Sequence, residues 1–363
     1  MLSILKTLIS FKTISQDTKE NQRAVNWIKK EIKNLQLFIK EFNFNKFPSL
    51  FVTTLNTKNP KLLLAAHLDV VPASEEMFGL KIKDKKIFGR GVYDMKFAIA
   101  CYLQLLKDLR QNLKKYNFGV MITTDEEIGG FNGTKKILEN GYRGRLIFLP
   151  DGGGDWNFEE KAKGFLHLLI EAKGKSIHGS KPWDGENAIE TIFEFLKEIK
   201  EKFPKEYCKD NNHWHETINI GKIEGGRATN QVPDFARAWV DIRFPPEVNI
   251  KKIKSILSLA KNKFKNKIKI TELVFGAPHI VDKNNKAIKI FSKIALEKFN
   301  IRTNFVLSHG SSDARFFAQY KIPVILIKPR GGAHHSENEW LDKEDLYKFY
   351  IVLKEFVQQV TKT

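Results

Sequence analysis

Four short apolar runs stand out along the chain, at Leu62 to Ala66, Gly119 to Thr123, Leu146 to Leu149 and Pro323 to Ile327. Each reads as a strand buried on both faces. Apolar residues at helical spacing lie beside them, over Phe97 to Leu109 and over Asp345 to Val360. Strands and helices so interleaved predict an α/β domain. The N-terminal stretch Met1 to Phe11 is apolar but broken by Lys6. With neither a small-residue cleavage site nor a long apolar span after it, it predicts a first amphipathic helix and not a signal.

Between the third and fourth runs the texture changes. A strand over Gly164 to Ala172, a helix over Glu186 to Ile199 and a strand over Thr217 to Gly225 are followed by the same pattern again. The second set is Phe235 to Phe244, Ile250 to Phe264 and Lys267 to Phe275. The order β-α-β-β-α-β is that of a ferredoxin-like unit. We expect it as an inserted domain over 163–276, interrupting a domain made of 1–162 and 277–363.

Composition narrows the class. The 363 residues include 42% hydrophobic, 12% aromatic and 28% charged residues, which suits a soluble globular protein of two domains. Only Cys101 and Cys208 occur, so a disulfide scaffold and a cysteine-built zinc site are excluded and a cytoplasmic setting is expected. The net charge of +19 would suit a nucleic-acid or membrane surface. Its lysines, however, are scattered among acidic neighbours, as over Lys29 to Lys33 and Glu198 to Lys205. A solvated basic surface is expected, with no nucleic-acid or membrane partner.

The candidate chemistry follows the four runs. His67 and Asp69 come after the first, Asp125, Glu126 and Glu127 after the second, Asp151 after the third and His335 after the fourth. Open α/β sheets place ligand sites beyond the carboxyl ends of their strands, so groups distant in sequence converge on one crevice. Any one of them alone is a turn former or a loop histidine. Together, imidazoles and carboxylates without thiolates suit zinc, manganese or cobalt, and the surplus of carboxylates allows two ions to share a bridge. Asp94 is the candidate bridge, and N-cap of the following helix is its other role.

The segments HLDVVP, GRGVYDMK, TTDEEIGG and the closing His335-Ser-Glu-Asn338-Glu339 resemble the zinc-dependent family of aminoacylases, acetylornithine deacetylases, succinyl-diaminopimelate desuccinylases and related carboxypeptidases. The resemblance spans nearly the whole chain. It implies a mixed-sheet α/β metallohydrolase domain with an inserted ferredoxin-like lid and dimerisation domain, and two zinc ions, replaceable by cobalt or manganese. By position, His67 and Asp151 would bind one ion, Glu127 and His335 the other, and Asp94 both. Glu126 would be the general base. Adjacent side chains of an extended segment point apart, so Glu127 could ligate while Glu126 reaches the water. Asp69 would orient the imidazole or the neighbouring backbone, and a plain turn aspartate is its other reading. His334 competes with His335, which has the family's spacing to Asn338 and Glu339.

In the lid, the resemblance implies that His178 reaches the partner subunit's site and donates to the developing oxyanion. A solvated loop histidine is the alternative. Asn230 and Arg243 match positions holding the substrate backbone and its α-carboxylate, and a surface ion pair is the alternative for Arg243. Gly310, Ser311 and Asp313 resemble a loop lining the same cleft. The chain departs from the family at Phe97, which could narrow the approach to Asp94, at Asp151, which replaces a longer Glu, and at Gly152 to Trp156. The expected activity is hydrolysis of an amide next to a free α-carboxylate, in N-acyl amino acids or short peptides, with deacylase, desuccinylase and carboxypeptidase unseparated. A symmetric homodimer through the lid is expected. The competing readings are a catalytically silent binding protein, against which Glu126 argues, and an aminopeptidase, against which Arg243 argues.

Overall fold

The computed structural model describes residues 1–204 and 213–363. Cys208 therefore lies outside the described residues, and Cys101 is a free thiol buried in a core. The chain divides into two compact units, one of Met1–Glu160, Val281–Ser308 and Ser312–Thr363, the other of Lys161–Ile280 with His309–Ser311. Each has its own apolar core.

The first unit is built on a six-stranded sheet ordered Phe38–Phe44, Phe47–Thr53, Phe118–Thr123, Leu62–His67, Ile147–Phe148 and Val324–Ile325. The last four strands run parallel, and they are the four apolar runs. All of their residues are buried, as two covered faces require. The helices Lys96–Asp108 and Lys343–Thr361 pack on the strand Leu62–His67. The first two strands form an antiparallel hairpin that makes the sheet mixed. Its tip, Asn45 and Lys46, has positive φ at both residues, the backbone of a tight hairpin whose twist matches its strands. Helix Leu2–Ser10 buries Ile4, Leu5, Leu8 and Ile9, the amphipathic element read from the sequence.

Register decides what meets beyond the strand ends. His67 pairs with Thr123, Phe148 with Leu64 and Ile325 with Phe148. Counting three residues past Leu64, Phe148 and Ile325 brings His67, Asp151 and Lys328 to one level. Counting three or four past Thr123 reaches Glu126 and Glu127.

The second unit holds an antiparallel four-stranded sheet ordered Thr217–Gly225, Phe235–Phe244, Gly164–Lys173 and Ile268–Gly276. Strand Phe235–Phe244 alternates cleanly, with Ala236, Ala238, Val240, Ile242 and Phe244 inward. These residues pack with Ile192, Phe195 and Ile199 of helix Ala188–Lys200 and Ile253 and Leu257 of helix Ile250–Lys263. Asn187 caps the first of these helices by accepting the Ile189 and Glu190 backbone N–H groups. The chain order is the expected β-α-β-β-α-β. No described helix is long and apolar enough to cross a membrane.

Candidate metal centre

His67 ends its strand almost fully buried, at 2% exposure. Its Nδ1 lies 3.0 Å from the Asp69 carbonyl oxygen, which can only accept, so Nδ1 carries the proton and donates it. In the neutral ring, the form that binds a metal ion, that tautomer leaves Nε2 with a lone pair. Nε2 is buried without a hydrogen-bond partner among the described residues, and stands 3.5 Å from Asp94 Oδ1 and 3.8 Å from Asp151 Oδ1. A buried acceptor aimed at two carboxylates is incomplete as a hydrogen-bonded structure and complete as part of a cation site.

Asp94 faces two ways. Its Oδ1 looks toward His67, and its Oδ2 lies 3.3 Å from His335 Nε2. His335 is in turn 3.0 Å from Glu127 Oε2. Two groups result whose ligand atoms lie within 4.8 Å of one another, His67 with Glu126 and Asp151, and Asp94 with Glu127 and His335. His334 belongs to neither. Its ring stands beside those of His335 and Tyr93, at 5.4 and 6.3 Å.

Three expectations need correction. Asp94 is not a helix cap: Met95 occupies that position, without a side-chain cap, and helix Lys96–Asp108 begins after it. The Asp94 loop is held instead by Glu339, whose carboxylate accepts the N–H groups of Gly91, Tyr93 and Asp94 and pairs with buried Arg90 at 2.8 Å. Glu126 and Glu127 do not lie on an extended segment but in a 3₁₀ turn, Glu126–Ile128. Successive residues there are about 120° apart around the axis, and this sends the two carboxylates to different groups. Phe97 points into the core, fully buried and edge-on to Phe349, so it does not narrow the approach to Asp94.

The segment after Asp151 is turned back by Gly153, Asp155 and Trp156 at positive φ. Trp156 is buried and donates from its indole nitrogen to Asp345 at 2.9 Å, which anchors the loop behind Asp151. Asp69 accepts from Ser15 and from the backbone N–H groups of Glu126 and Glu127. Of its two expected roles, holding the neighbouring backbone is the one its carboxylate performs. Asp125 accepts from the Asn132 and Gly133 N–H groups, and Asp313 is buried against Thr134.

The electrostatics are those of an acidic cluster balanced by protons and one lysine. Burial opposes charge on His67, but Asp151, Asp69 and Asp94 outweigh it and hold its pKa well above the ordinary value. Asp94 and Glu127 push His335 up to about 10. Burial raises Glu126 well above the usual carboxylate range, and the charge of Asp151 raises it further. Lys328, which the sequence reading did not single out, is buried with its Nζ 3.4 Å from Asp94 Oδ1 and 3.5 Å from Asp151 Oδ1. Burial would lower its pKa, but these two carboxylates raise it above the ordinary lysine value, so it stays an ammonium. Its place directly after the fourth apolar run was the available signal.

The remaining candidates lie in the second unit. His178 is exposed, and its Nδ1 accepts the Ser180 backbone N–H at 3.2 Å, leaving Nε2 as the N–H donor. Its loop meets that of Asn230, since the Gly179 N–H donates to the Asn230 carbonyl at 2.7 Å. Arg243 is half-buried, with Nε 3.0 Å from both oxygens of Asp241 and its guanidinium 5.2 Å from the Phe165 ring. Gly310 and Ser311 follow strand Phe305–Ser308, and the Ser311 hydroxyl is buried without a hydrogen-bond partner among the described residues.

The chain is 27% identical to the succinyl-diaminopimelate desuccinylase of Rickettsia bellii, covering 98% of this chain and 95% of that protein. It is 27% identical to a probable succinyl-diaminopimelate desuccinylase of Staphylococcus aureus, covering 92% and 90%. Its fold matches an M20 family metallo-carboxypeptidase from Sulfolobus solfataricus with a TM-score of 0.81 at 18% identity, over 99% of this chain and 98% of that one. A tripeptidase from Staphylococcus aureus matches with a TM-score of 0.80 at 20% identity, over 99% and 97%. Residues 63–359 match peptidase family M20/M25/M40, and the chain belongs to this family of metal-dependent hydrolases of amide C–N bonds.

Proposed function

We propose that the chain is a dinuclear zinc hydrolase cleaving an amide next to a free α-carboxylate, in an N-acyl amino acid or a short peptide. His67 and Asp151 would hold one ion, Glu127 and His335 the other, and Asp94 both, with cobalt or manganese suited to the same donors. The observation that carries this reading is the Asp94 carboxylate, with one oxygen turned to each histidine. Bound there, the ions supply Lewis acidity to the scissile carbonyl and to water.

Glu126 takes the proton of the attacking water and returns it to the leaving amine as the C–N bond breaks. Its carboxylate stands within ligand distance of His67 and Asp151, beside the position where the attacking water would sit. Asp69 positions Glu126 and Glu127 through their backbone. Asn230, Gly310 and Ser311 contact the substrate, and Arg243 receives its α-carboxylate. His178, with Nε2–H free to donate, stabilises the developing oxyanion across a homodimer. The dimer is supported by the edge strand Thr217–Gly225, whose outer side has no partner strand among the described residues and which exposes Ile220 and Ile223, and by exposed Phe193 of the same unit. Two cysteines in the whole chain suit a cytoplasmic enzyme.

Within this class, the desuccinylase reading draws support from the names of the relatives matched over nearly the full chain. The test is an activity panel of zinc-loaded protein on N-succinyl, N-acetyl and unblocked dipeptide substrates, each with a free or an amidated α-carboxylate. Hydrolysis confined to free carboxylates, and lost for them in Arg243→Ala, is expected. Equal turnover of amidated substrates would overturn the carboxylate requirement.

A further inference from the structure

Lys328 is 5% exposed and reaches two carboxylate oxygens, Asp94 Oδ1 at 3.4 Å and Asp151 Oδ1 at 3.5 Å. These are the two oxygens that face His67 Nε2, at 3.5 and 3.8 Å. One half of the acidic cluster therefore already contains a fixed cation. Asp94 Oδ2 and Glu127 both face His335, and among the described residues no lysine or arginine pairs with Glu127.

We propose that Lys328 is a built-in cation that makes the two metal positions unequal. The position formed by Asp94 Oδ2, Glu127 and His335 fills first and tightly. The position formed by His67, Asp151 and Asp94 Oδ1 fills only against the Lys328 ammonium. The proposal rests on the dinuclear reading above and deepens it by ordering the two ions.

The physical argument is a distance bound. A zinc ion lies about 2.0–2.2 Å from a ligating carboxylate oxygen. An ammonium 3.4–3.5 Å from the same oxygen is then under about 6 Å from the ion, close enough for strong like-charge repulsion in a buried site. Retreat of the lysine has its own cost, because Nζ would give up both carboxylates and its place 5.1 Å over the Tyr93 ring. With the His67 position empty, Lys328 Nζ faces both Asp94 and Asp151 and keeps them placed. Loading of the second ion thus follows metal supply more closely than loading of the first.

The experiment is a calorimetric titration of metal-free protein with Zn²⁺, repeated with Co²⁺ and followed by its visible absorption. Wild type, Lys328→Met and Lys328→Arg are compared, with Glu127→Ala and Asp151→Ala to assign the steps. Two steps separated by about a hundredfold or more in Kd are expected for wild type, and a gap at least about tenfold smaller for Lys328→Met, since one unit charge beside the ion is removed. Lys328→Arg should keep the gap. Glu127→Ala should remove the tight step and Asp151→Ala the weak one. Two equal, tight sites in wild type would overturn the Lys328 proposal while leaving the dinuclear centre standing, and this readout does not depend on any variant folding. A folded Lys328→Met with an unchanged weak step would overturn it as well. No binding of either ion by wild type would overturn the metal-centre reading, and this proposal with it.

Discussion

The carboxylate of Asp69 accepts the backbone N–H of Glu127 at 3.1 Å, tying the loop after one parallel strand to the turn after its neighbour. The same carboxylate holds the Glu126 N–H at 3.2 Å, and the Asp69 carbonyl fixes the tautomer of His67. One residue thus sets the backbone of Glu126 and Glu127, the proposed general base and a proposed ligand, and the ring orientation of His67, a second proposed ligand. Asp69→Ala should keep the fold and lower turnover and metal affinity each by about 10–100-fold, the usual effect of removing a group that orients ligands. Steady-state kinetics and a metal titration on the same preparation would check it. An unchanged metal affinity would reduce Asp69 to a turn former.

Metal binding should release protons. In the metal-free chain Asp94 and Glu127 push the His335 pKa to about 10, and an ion bound at neutral pH must expel that proton. Apparent affinity should therefore rise with pH across the neutral range, with proton release visible as a dependence of the calorimetric heat on buffer ionisation. The raised value also fixes the sign for stability. The His335 contribution is fully present below the ordinary value of 6.5 and is lost as pH rises through about 10, so the metal-free chain should weaken over that window. Affinity independent of pH would contradict the assignment.

Glu339 is fully buried and receives one guanidinium and three backbone N–H groups. Glu339→Ala leaves Arg90 buried without this partner and frees the Asp94 loop. The loss should be on the order of 3–5 kcal/mol in denaturant unfolding, the scale for breaking one side of a buried ion pair. A change below about 1 kcal/mol, the scale of an exposed pair, would show that Glu339 is not the anchor.

Much of this was legible in the sequence because buried parallel strands and amphipathic helices announce themselves by period. Strand Phe235–Phe244 falls where its alternation places it, and Thr217–Gly225 has the bounds read from the sequence. The hairpin Phe38–Phe44 and Phe47–Thr53 was missed because its outer strand is largely exposed and its inner strand carries Pro48, so neither reads as a continuous apolar run. The direction of Glu126 relative to Glu127 needed the 3₁₀ turn, whose geometry is not written in two adjacent glutamates. Lys328 was hidden among 61 basic residues; its place directly after the fourth apolar run is the sequence signal, and the register of Ile325 with Phe148 shows what it meets.

A homodimer that shares His178 between sites predicts complementation. Glu126→Gln and His178→Ala chains, each nearly inactive, should regain activity when dissociated and reassembled together, because each heterodimer rebuilds one complete site. Removal of an oxyanion donor typically costs about 10²–10³ in rate, so the recovery stands well above background. Reassembled heterodimers that stay inactive would exclude the shared role.

The central claim, that Glu126 moves the proton beside a metal centre it does not build, is tested most directly by Glu126→Gln with metal content and turnover measured on one preparation. The account predicts full metal retention, an unchanged unfolding midpoint and a turnover lower by a factor on the order of 10²–10⁴, the range for a lost general base. Loss of an ion from the variant would make Glu126 a ligand, and wild-type turnover with both ions bound would remove it from the reaction.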